Sequence, residues 1–469
     1  MRKNLLTLTL ALTIAAGVGL PAAAHADGEA KNVIFFLGDG MGPTTVTAAR
    51  IYKYGEDGQL HMESLPRTAR VKTYSNDAQT TDSAPSMSAY MTGSKMNNEV
   101  ISMTPNTIAI KPEGNNTVNK CTANGSNGEP VQTLFEAAKA HGKAIGAVTT
   151  TRVTHATPAA TYAHICHRDL ENDIAAQMVP GGTGFNSLMG AGLDVLFGGG
   201  RRQFLPLVRG GLRTDGRDLT AELEAQGYVY TPNKTLFNAI DPAATHKAVG
   251  LFTMSHMSYE LDRNTALEPS LSEMTAKAID ILSTNPNGYV LVVEGGRIDH
   301  ALHETNAIRA LNDAIAFDDA IQTALGKVDL SNTLIVVTAD HDHTMVINGY
   351  ARRTGATSAT NAGILGFVRD VFTGDLVKDL EGLPYTILGF GNGEHRVAGA
   401  RTVEDMALSE TDTTAAGYHQ EAGVKMAVGS ETHGGGDVML MAAGAGARRF
   451  KGTIENTRVY GLVKQALGF

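Results

Sequence analysis

Three short apolar runs rich in β-branched residues stand out along the chain, at residues 32–37, 289–293 and 333–339. Their length and composition predict buried strands rather than helices. A carboxylate closes each run, and these carboxylates are Asp39, Glu294 and Asp340.

Helical patterns alternate with further apolar runs. The pattern predicts helices at 131–141 and 460–467, a helix after Gly296, and strands at 143–148, 194–197 and 437–442. Residues 97–130 have the composition of irregular surface, and residues 203–250 that of polar helix and loop. Strands that alternate with helices predict an α/β fold with a mostly parallel, doubly wound sheet flanked by helices. The carboxyl ends of its strands then lie along one edge, where such folds bind ligands.

The composition changes between about residues 349 and 430. Glycines, charges and short patterned pieces replace the long apolar runs there. We therefore predict an insertion on the loop side of the sheet, within one domain that spans residues 27–469.

The N-terminus has the features of a signal peptide over residues 1–26. Arg2 and Lys3 precede a largely apolar stretch, and Ala24-His25-Ala26 is a small-residue cleavage site. The stretch is too short and too rich in Ala and Thr to predict a membrane anchor. We expect a periplasmic or secreted protein that begins near Asp27.

The charge excludes one class of partner. Removal of Arg2 and Lys3 takes the formal net charge from -9 to -11. An acidic protein lacks the basic surface that specific nucleic-acid binding requires. Export also favours a disulfide between Cys121 and Cys166, the two cysteines of the chain. The alternative is a pair of separate thiols.

Metal-binding residue types follow the predicted strands. Asp299 and His303 are four residues apart, which places both on one face of a helix, and zinc accepts such ligands. Alone, the pair is more typical of a solvated acidic helix start. Asp340 and His341 bind one metal only if the backbone bends there, and a charged loop is the alternative. His433 lies in a glycine-rich loop.

Ser83 precedes a helical pattern whose first turn contains Pro85. A helix N-terminus favours an anion, so Ser83 is a candidate nucleophile for a phosphoryl group. The alternative is that Ser83 or Asp82 only caps the helix. Thr157 offers a neutral oxygen suited to magnesium, and Arg168 offers a planar fork suited to phosphate.

Charge balance links these candidates. Asp39, Glu294, Asp299 and Asp340 would repel one another if they were gathered at the edge of the sheet. Two zinc ions and one magnesium ion would bring six positive charges against those four. The surplus of two matches a phosphate dianion. The acidic protein could therefore still bind an acidic substrate.

Taken together, these stretches resemble the alkaline phosphatases from Asn32 to the C-terminus. The matching stretches are Gly38-Asp-Gly-Met-Gly42, Asp82-Ser-Ala84, His155-Ala-Thr-Pro158, Arg168, the stretch from Glu294 to His303, Thr338-Ala-Asp-His341 and Glu431-Thr-His433. Each is weak alone, but their combination in this order is specific.

The resemblance implies metal-dependent hydrolysis of small phosphate monoesters by an enzyme that is usually a homodimer. It implies Ser83 as the nucleophile that becomes phosphoserine and Arg168 as the group that grips the phosphate. It assigns one zinc to Asp299, His303 and His433, the other to Asp39, Asp340 and His341, and magnesium to Asp39, Thr157 and Glu294. The insertion at 349–430 would be the family's crown.

The chain also departs from the commonest family pattern. Pro85 and Met87 follow the nucleophile motif where small residues are usual. His155 and His300 resemble the animal branch, and both are candidates for the shell around the metal ligands. For His164 and His167 we favour structural or solvated roles.

Two rival functions remain from the sequence. A phosphodiesterase or sulfatase of the same superfamily is the nearer one, although neither cysteine lies in the motif that sulfatases need. A non-enzymatic metal- or phosphate-binding protein of the periplasm is the other.

Overall fold

The computed structural model describes residues 29–114, 118–396, 399–402, 407 and 409–469. The predicted signal peptide at residues 1–26 lies outside the described residues. Among the described residues, no helix combines the length and the apolar character needed to cross a bilayer.

A sheet of ten strands forms the centre of the molecule, in the order β15-β2-β14-β8-β1-β7-β3-β4-β6-β5. Most neighbouring strands are parallel, which confirms the predicted fold class. The described strands are β1 (Asn32–Gly38), β2 (Arg67–Lys72), β3 (Ala144–Arg152), β4 (Val195–Gly199), β5 (Val229–Thr231), β6 (Ala248–Leu251), β7 (Tyr289–Gly295), β8 (Thr333–Ala339), β9 (Asp342–His343), β10 (Met345–Ile347), β11 (Leu388–Gly393), β12 (Ala422–Lys425), β13 (His433–Gly434), β14 (Val438–Gly444) and β15 (Gly452–Glu455).

The central strands are buried on both sides and are flanked by helices. Strands β7 and β8 are buried along their whole length, as expected for parallel strands beneath helices. The described α-helices are α1 (Pro43–Tyr54), α2 (Ser83–Thr92), α3 (Leu134–Ala140), α4 (Ala156–Ala159), α5 (Glu171–Gln177), α6 (Leu219–Ala225), α7 (Lys234–Asn238), α8 (Leu271–Leu282), α9 (Arg297–His303), α10 (Ala307–Lys327), α11 (Glu410–Thr413) and α12 (Asn456–Leu467).

One detail of the sheet differs from the sequence prediction. Residues 203–250 contain strand β5 and most of strand β6 as well as helix and loop. These strands have only three and four residues, and pairing with the sheet stabilises them rather than local pattern. Strand β14 runs antiparallel to both of its neighbours, β8 and β2.

Two smaller sheets lie outside the main one. Strands β10, β11 and β12 form the first, and β9 pairs with β13 in the second. The β9–β13 pair matters for the site because it holds His343 directly opposite His433.

Cys121 and Cys166 form a disulfide with a Cα–Cα distance of 5.7 Å, which confirms that prediction. The bridge ties the irregular segment at 97–130 to the stretch that leads to Arg168. A backbone hydrogen bond from Arg168 to the carbonyl of Glu99 joins the same two segments at 2.8 Å.

Candidate active site

Three carboxylates meet at the carboxyl edge of the central strands. In the parallel register, Gly38 of β1 lies opposite Gly295 of β7 and Ala339 of β8. Asp39, Glu294 and Asp340 therefore leave adjacent strands at nearly the same level. All three are buried, with at most 1% of each residue exposed. The three carboxylates converge because the three parallel strands end at the same level of the sheet.

Helix α9 and the β9–β13 pair bring a first group of nitrogen and oxygen atoms together. His303 Nε2 lies 3.2 Å from His433 Nε2 and 3.3 Å from Asp299 Oδ1. His433 Nε2 lies 3.5 Å from the same Asp299 oxygen. Zinc held tetrahedrally with bonds of about 2.0–2.1 Å keeps its ligand atoms about 3.3 Å apart. The three atoms therefore fit one face of a zinc tetrahedron.

A second group surrounds Ser83. His341 Nε2 lies 3.2 Å from Asp39 Oδ1 and 3.4 Å from Asp340 Oδ2. The Ser83 hydroxyl lies 3.3 Å from both Asp39 Oδ1 and His341 Nε2. The same tetrahedral spacing recurs, with Ser83 at one corner. The other oxygen of Asp340 accepts from the backbone N–H groups of Gly40 and His341, each at 3.0 Å, which turns Oδ2 toward the group.

Asp82, rather than Ser83, caps helix α2. Its Oδ1 accepts from the N–H of Ala84 at 2.7 Å, and its Oδ2 accepts from the N–H of Glu99 at 2.5 Å. Ser83 is the first residue of the helix and is 2% exposed. Its hydroxyl therefore needs no role in capping and faces Asp39 and His341 of the second group. Pro85 and Met87 lie inside α2 without displacing Ser83.

A third group lies on the β3 side of Asp39. Thr157 Oγ1 lies 3.5 Å from Asp39 Oδ2. Ligand atoms of Asp39, His155 and Glu294 lie within 4.8 Å of one another. Glu294 Oε1 is buried without a hydrogen-bond partner. An unpartnered carboxylate oxygen beside the Asp39 carboxylate suits a cation.

Glycine is required beside this third group. A Cβ on Gly296 would lie 2.7 Å from Glu294 Oε1 and closer still to the methyl group of Thr151. Thr149 and Thr151 donate to the opposite oxygen, Glu294 Oε2. These contacts hold Oε1 toward the third group, and the crowding around Gly296 gives a steric reason for glycine at that position.

Arg168 is held from two sides. Its Nη1 donates to Asp82 Oδ1 at 3.1 Å, and its Nη2 donates to His155 Nε2 at 2.9 Å. Although burial opposes its charge, the negative charges of Asp82 and Glu99 raise the pKa of Arg168 above its ordinary value. The guanidinium is thus a fixed cation near Ser83, suited to an anionic substrate.

Burial and mutual repulsion raise the pKa values of three of the clustered carboxylates. Burial and the charge of Asp299 raise the pKa of Asp39 to about 7, and burial and the charge of Asp39 raise the pKa of Asp340 to about 7. Burial and Asp39 also raise the pKa of Glu294 well above its ordinary value. Divalent cations would relieve this repulsion and keep the carboxylates ionised. The donor set therefore fits metal ions.

Several residues of the site were not assigned from the sequence. His343 donates to Asp299 Oδ1 at 2.8 Å and to Glu431 Oε2 at 2.5 Å. Burial opposes the charge of His343, but these two hydrogen bonds raise its pKa to about 10. His343 stands two residues after His341 on an extended stretch, and this spacing was the available signal. Glu431 stands in the stretch Glu431-Thr-His433 that carries part of the resemblance, but the sequence assigned no role to it.

His155 and His300 lie beside the third group, with their ring centroids 5.4 Å apart. His256, which was not predicted, packs against both rings at 5.4 and 4.2 Å. Burial lowers the pKa of His300 to about 3, so its ring is neutral.

His164 lies outside the three groups and is held by two hydrogen bonds. It bridges the carbonyl of Ser102 and Glu136 Oε1, both at 2.7 Å, which confirms a structural role. His167 is buried near Glu99 and Asp169, outside the three groups.

Comparison with known proteins gives a consistent result. The sequence model of the family described as alkaline phosphatase matches residues 30–469. An alkaline phosphatase of Gadus morhua is 37% identical over 463 residues, which cover 92% of this chain and 90% of that protein. The human tissue-nonspecific isozyme of alkaline phosphatase is 36% identical, over 92% of this chain and 82% of that protein.

Solved structures show the same fold. The alkaline phosphatase of Thermus thermophilus superposes with a TM-score of 0.67 at 26% identity, over 95% of this chain and 93% of that one. That of the Antarctic bacterium TAB5 gives a TM-score of 0.64 at 23% identity, over 94% of this chain and 99% of that one, and supports the fold alone.

Proposed function

The chain belongs to the alkaline phosphatase family and hydrolyses phosphate monoesters, and from that premise we propose that it does so through a phosphoserine at Ser83, with two zinc ions and one magnesium ion. The observation that carries the proposal is the position of the Ser83 hydroxyl, 3.3 Å from both Asp39 Oδ1 and His341 Nε2.

We assign the ions by donor chemistry. Asp299, His303 and His433 would hold one zinc, and Asp39, Asp340 and His341 the other. The third group offers the oxygens of Asp39, Thr157 and Glu294, which suit the harder magnesium ion. When bound, such ions lower the pKa of a hydroxyl or a water and stabilise charge on oxygen.

Ser83 performs the first transfer. Its oxygen attacks phosphorus, a serine O–P bond forms, the ester P–O bond breaks, and the alcohol leaves with a proton. Water then attacks the phosphoserine, which releases inorganic phosphate and restores the Ser83 hydroxyl. The N–H groups at the start of α2 favour the transferred anion.

Arg168 binds and orients the phosphate. Since Asp82 and His155 fix two of its nitrogens, the guanidinium loses little further freedom when substrate binds. Its planar fork can contact two free oxygens, and a monoester provides them. A diester has one fewer free charge for this fork, so the geometry favours monoesters.

Three further properties extend the proposal. We propose export, with cleavage of residues 1–26 near Ala26, assembly as a homodimer, and a crown-like insertion at about 349–430. The strands β11 and β12 lie within that insertion and pair with each other and with β10 rather than with the main sheet.

The test combines one variant with a comparison of two substrates. Ser83→Ala should lose at least ~10²-fold in kcat for p-nitrophenyl phosphate, as expected for a single catalytic group. The matched control is Ser88→Ala on the same helix, whose hydroxyl accepts from the N–H of Ser102 at 3.0 Å, away from the site. The control should lose stability but keep its turnover.

A metal-replete Ser83→Ala protein that turns over like the wild type would refute the assignment of the nucleophile. The bis-ester of p-nitrophenol serves as a second substrate. A preference for it over the monoester would favour the phosphodiesterase alternative.

A further inference from the structure

Glu431 is a buried carboxylate that lies two residues before His433 and is 1% exposed. We infer that Glu431 is the positioning residue of the metal site formed by Asp299, His303 and His433. The inference rests on the proposed function, because it concerns one of the two zinc sites assigned there.

The side chain of Glu431 acts through His343. Glu431 Oε2 accepts from His343 Nδ1 at 2.5 Å, and His343 Nε2 donates to Asp299 Oδ1 at 2.8 Å. Each ring nitrogen of His343 thus already has a carboxylate oxygen as its partner, although the ring lies among candidate ligand atoms. Its role is to fix the orientation of the Asp299 carboxylate.

The other oxygen of Glu431 is also fixed. Oε1 accepts from the N–H of Thr344 at 2.8 Å and from the Thr344 hydroxyl. Both oxygens of the buried carboxylate are thus satisfied, and the side chain has one orientation. A rigid anchor of this kind transmits its position through His343 to Asp299.

The backbone of Glu431 acts on His303. Its carbonyl accepts from His303 Nδ1, and its N–H donates to the carbonyl of His303 at 3.1 Å. A proton on Nδ1 leaves Nε2 of His303 free to bind an ion. That Nε2 is the atom 3.2 Å from His433 Nε2. Glu431 therefore sets both the tautomer and the position of this ligand.

The third ligand depends on the same segment. His433 follows Glu431 by two residues, and it pairs with His343 across the β9–β13 ladder. His433 Nδ1 also donates to the carbonyl of Thr81 at 2.8 Å, so Glu431 contacts the supports of Asp299 and His303 and reaches His433 only through the shared segment. The other zinc site is held differently, since Asp340 is oriented by Gly40 and His341. Loss of the Glu431 carboxylate should weaken one site and spare the other.

The test is the zinc affinity of Glu431→Gln, measured on the full-length protein by titration with a competing chelator and by the number of zinc ions retained. The amide keeps the shape of the side chain but weakens the bond from His343. We expect one zinc equivalent to bind about 10–100-fold more weakly, as for other residues that support metal ligands, and the other to be unchanged. Excess zinc should restore kcat.

The matched control is Glu136→Gln. Glu136 is also 1% exposed and also accepts from a histidine, His164, at 2.7 Å, but it lies away from the site. It should lower the melting temperature without changing either zinc affinity. His343→Gln should reproduce the effect of Glu431→Gln, and the double variant should be no weaker than either single variant, because both remove one linkage.

Two results would overturn the inference. In one, Glu431→Gln binds both zinc equivalents with wild-type affinity. In the other, it weakens both equally. Titration of the wild-type protein in parallel distinguishes failure of the proposed function from failure of this inference. Wild-type protein that retains no zinc overturns the proposed function and this inference together, whereas a normal wild type beside an unaffected variant overturns the inference alone.

Discussion

Substitution of Gly40 is predicted to perturb the site for two reasons: the backbone conformation at this position favours glycine, and a side chain would collide with His343. The φ of Gly40 is +65°, a conformation that other L-residues adopt at a cost of about 1–2 kcal/mol. A Cβ at this position would also lie 2.5 Å from His343 Nε2 and 3.3 Å from Asp299 Cα. Ordinary contact begins near 3.5 Å, so the His343 ring would have to retreat by about 1 Å.

The retreat would break the hydrogen bond from His343 to Asp299, which is 2.8 Å long. Bonds to charged groups contribute about 1.5–3 kcal/mol, and a shift of 1 Å in a site can cost about 10²-fold in rate. We therefore expect Gly40→Ala to lose stability and also about 10²-fold in kcat/KM for a phosphate monoester at limiting zinc.

Gly210→Ala isolates the backbone contribution to this effect. Gly210 has a φ of +76°, and nothing lies within 4 Å of its would-be Cβ. This control should lose about 1–2 kcal/mol of unfolding free energy in urea and keep its kinetics. If Gly40→Ala matches Gly210→Ala in stability and the wild type in kcat/KM, the steric argument for the site is wrong.

Three further predictions follow from the same contacts. Arg168→Lys should lower kcat/KM by about 10–100-fold and weaken inhibition by inorganic phosphate, because an ammonium lacks the planar fork; unchanged phosphate inhibition would contradict this role. Reduction of the Cys121–Cys166 bridge, or Cys121→Ser, should lower the unfolding free energy in urea by about 3–4 kcal/mol, given the 45-residue separation of the two cysteines; an unchanged unfolding midpoint would count against this. Exhaustive chelation should abolish turnover and added zinc should restore it, whereas full activity of metal-free protein would exclude the metal assignment.

The central strands and their carboxylates could be predicted from the sequence because the signals are local. The run at 333–339 matches β8 residue for residue, and β1 is only one residue longer than its prediction. Since neighbouring parallel strands end at one edge, Asp39, Glu294 and Asp340 could be placed together without a structure.

Other strands could not be found because their signal is not local. Strands β5 and β6 are too short to show a period, and the sheet stabilises them by pairing. Strand β2 does show alternation, with Ala69 and Val71 buried between exposed neighbours, but the charges of Arg67, Arg70 and Lys72 conceal it. The reversed direction of β14 depends on the path of the chain.

The residues that support the candidate ligands were harder to predict than the candidate ligands themselves. Asp299 and His303 are four residues apart, and helical geometry alone joins them. His343 and Glu431 are 88 residues apart and meet only through the β9–β13 pair. Thr149 becomes a partner of Glu294 only because β3 and β7 are neighbours. Such contacts require the fold before they can be recognised.

The central claim is that Ser83 carries the phosphoryl group during turnover, and trapping this intermediate tests it most directly. The protein is mixed with excess phosphate monoester, and the reaction is quenched in acid. The protein is then digested, and the masses of its peptides are measured by mass spectrometry. The account predicts one added phosphoryl group, located on Ser83, that disappears when the substrate is exhausted and is absent from Ser83→Ala. A phosphoryl group on another residue, or robust turnover with none on Ser83, would contradict it.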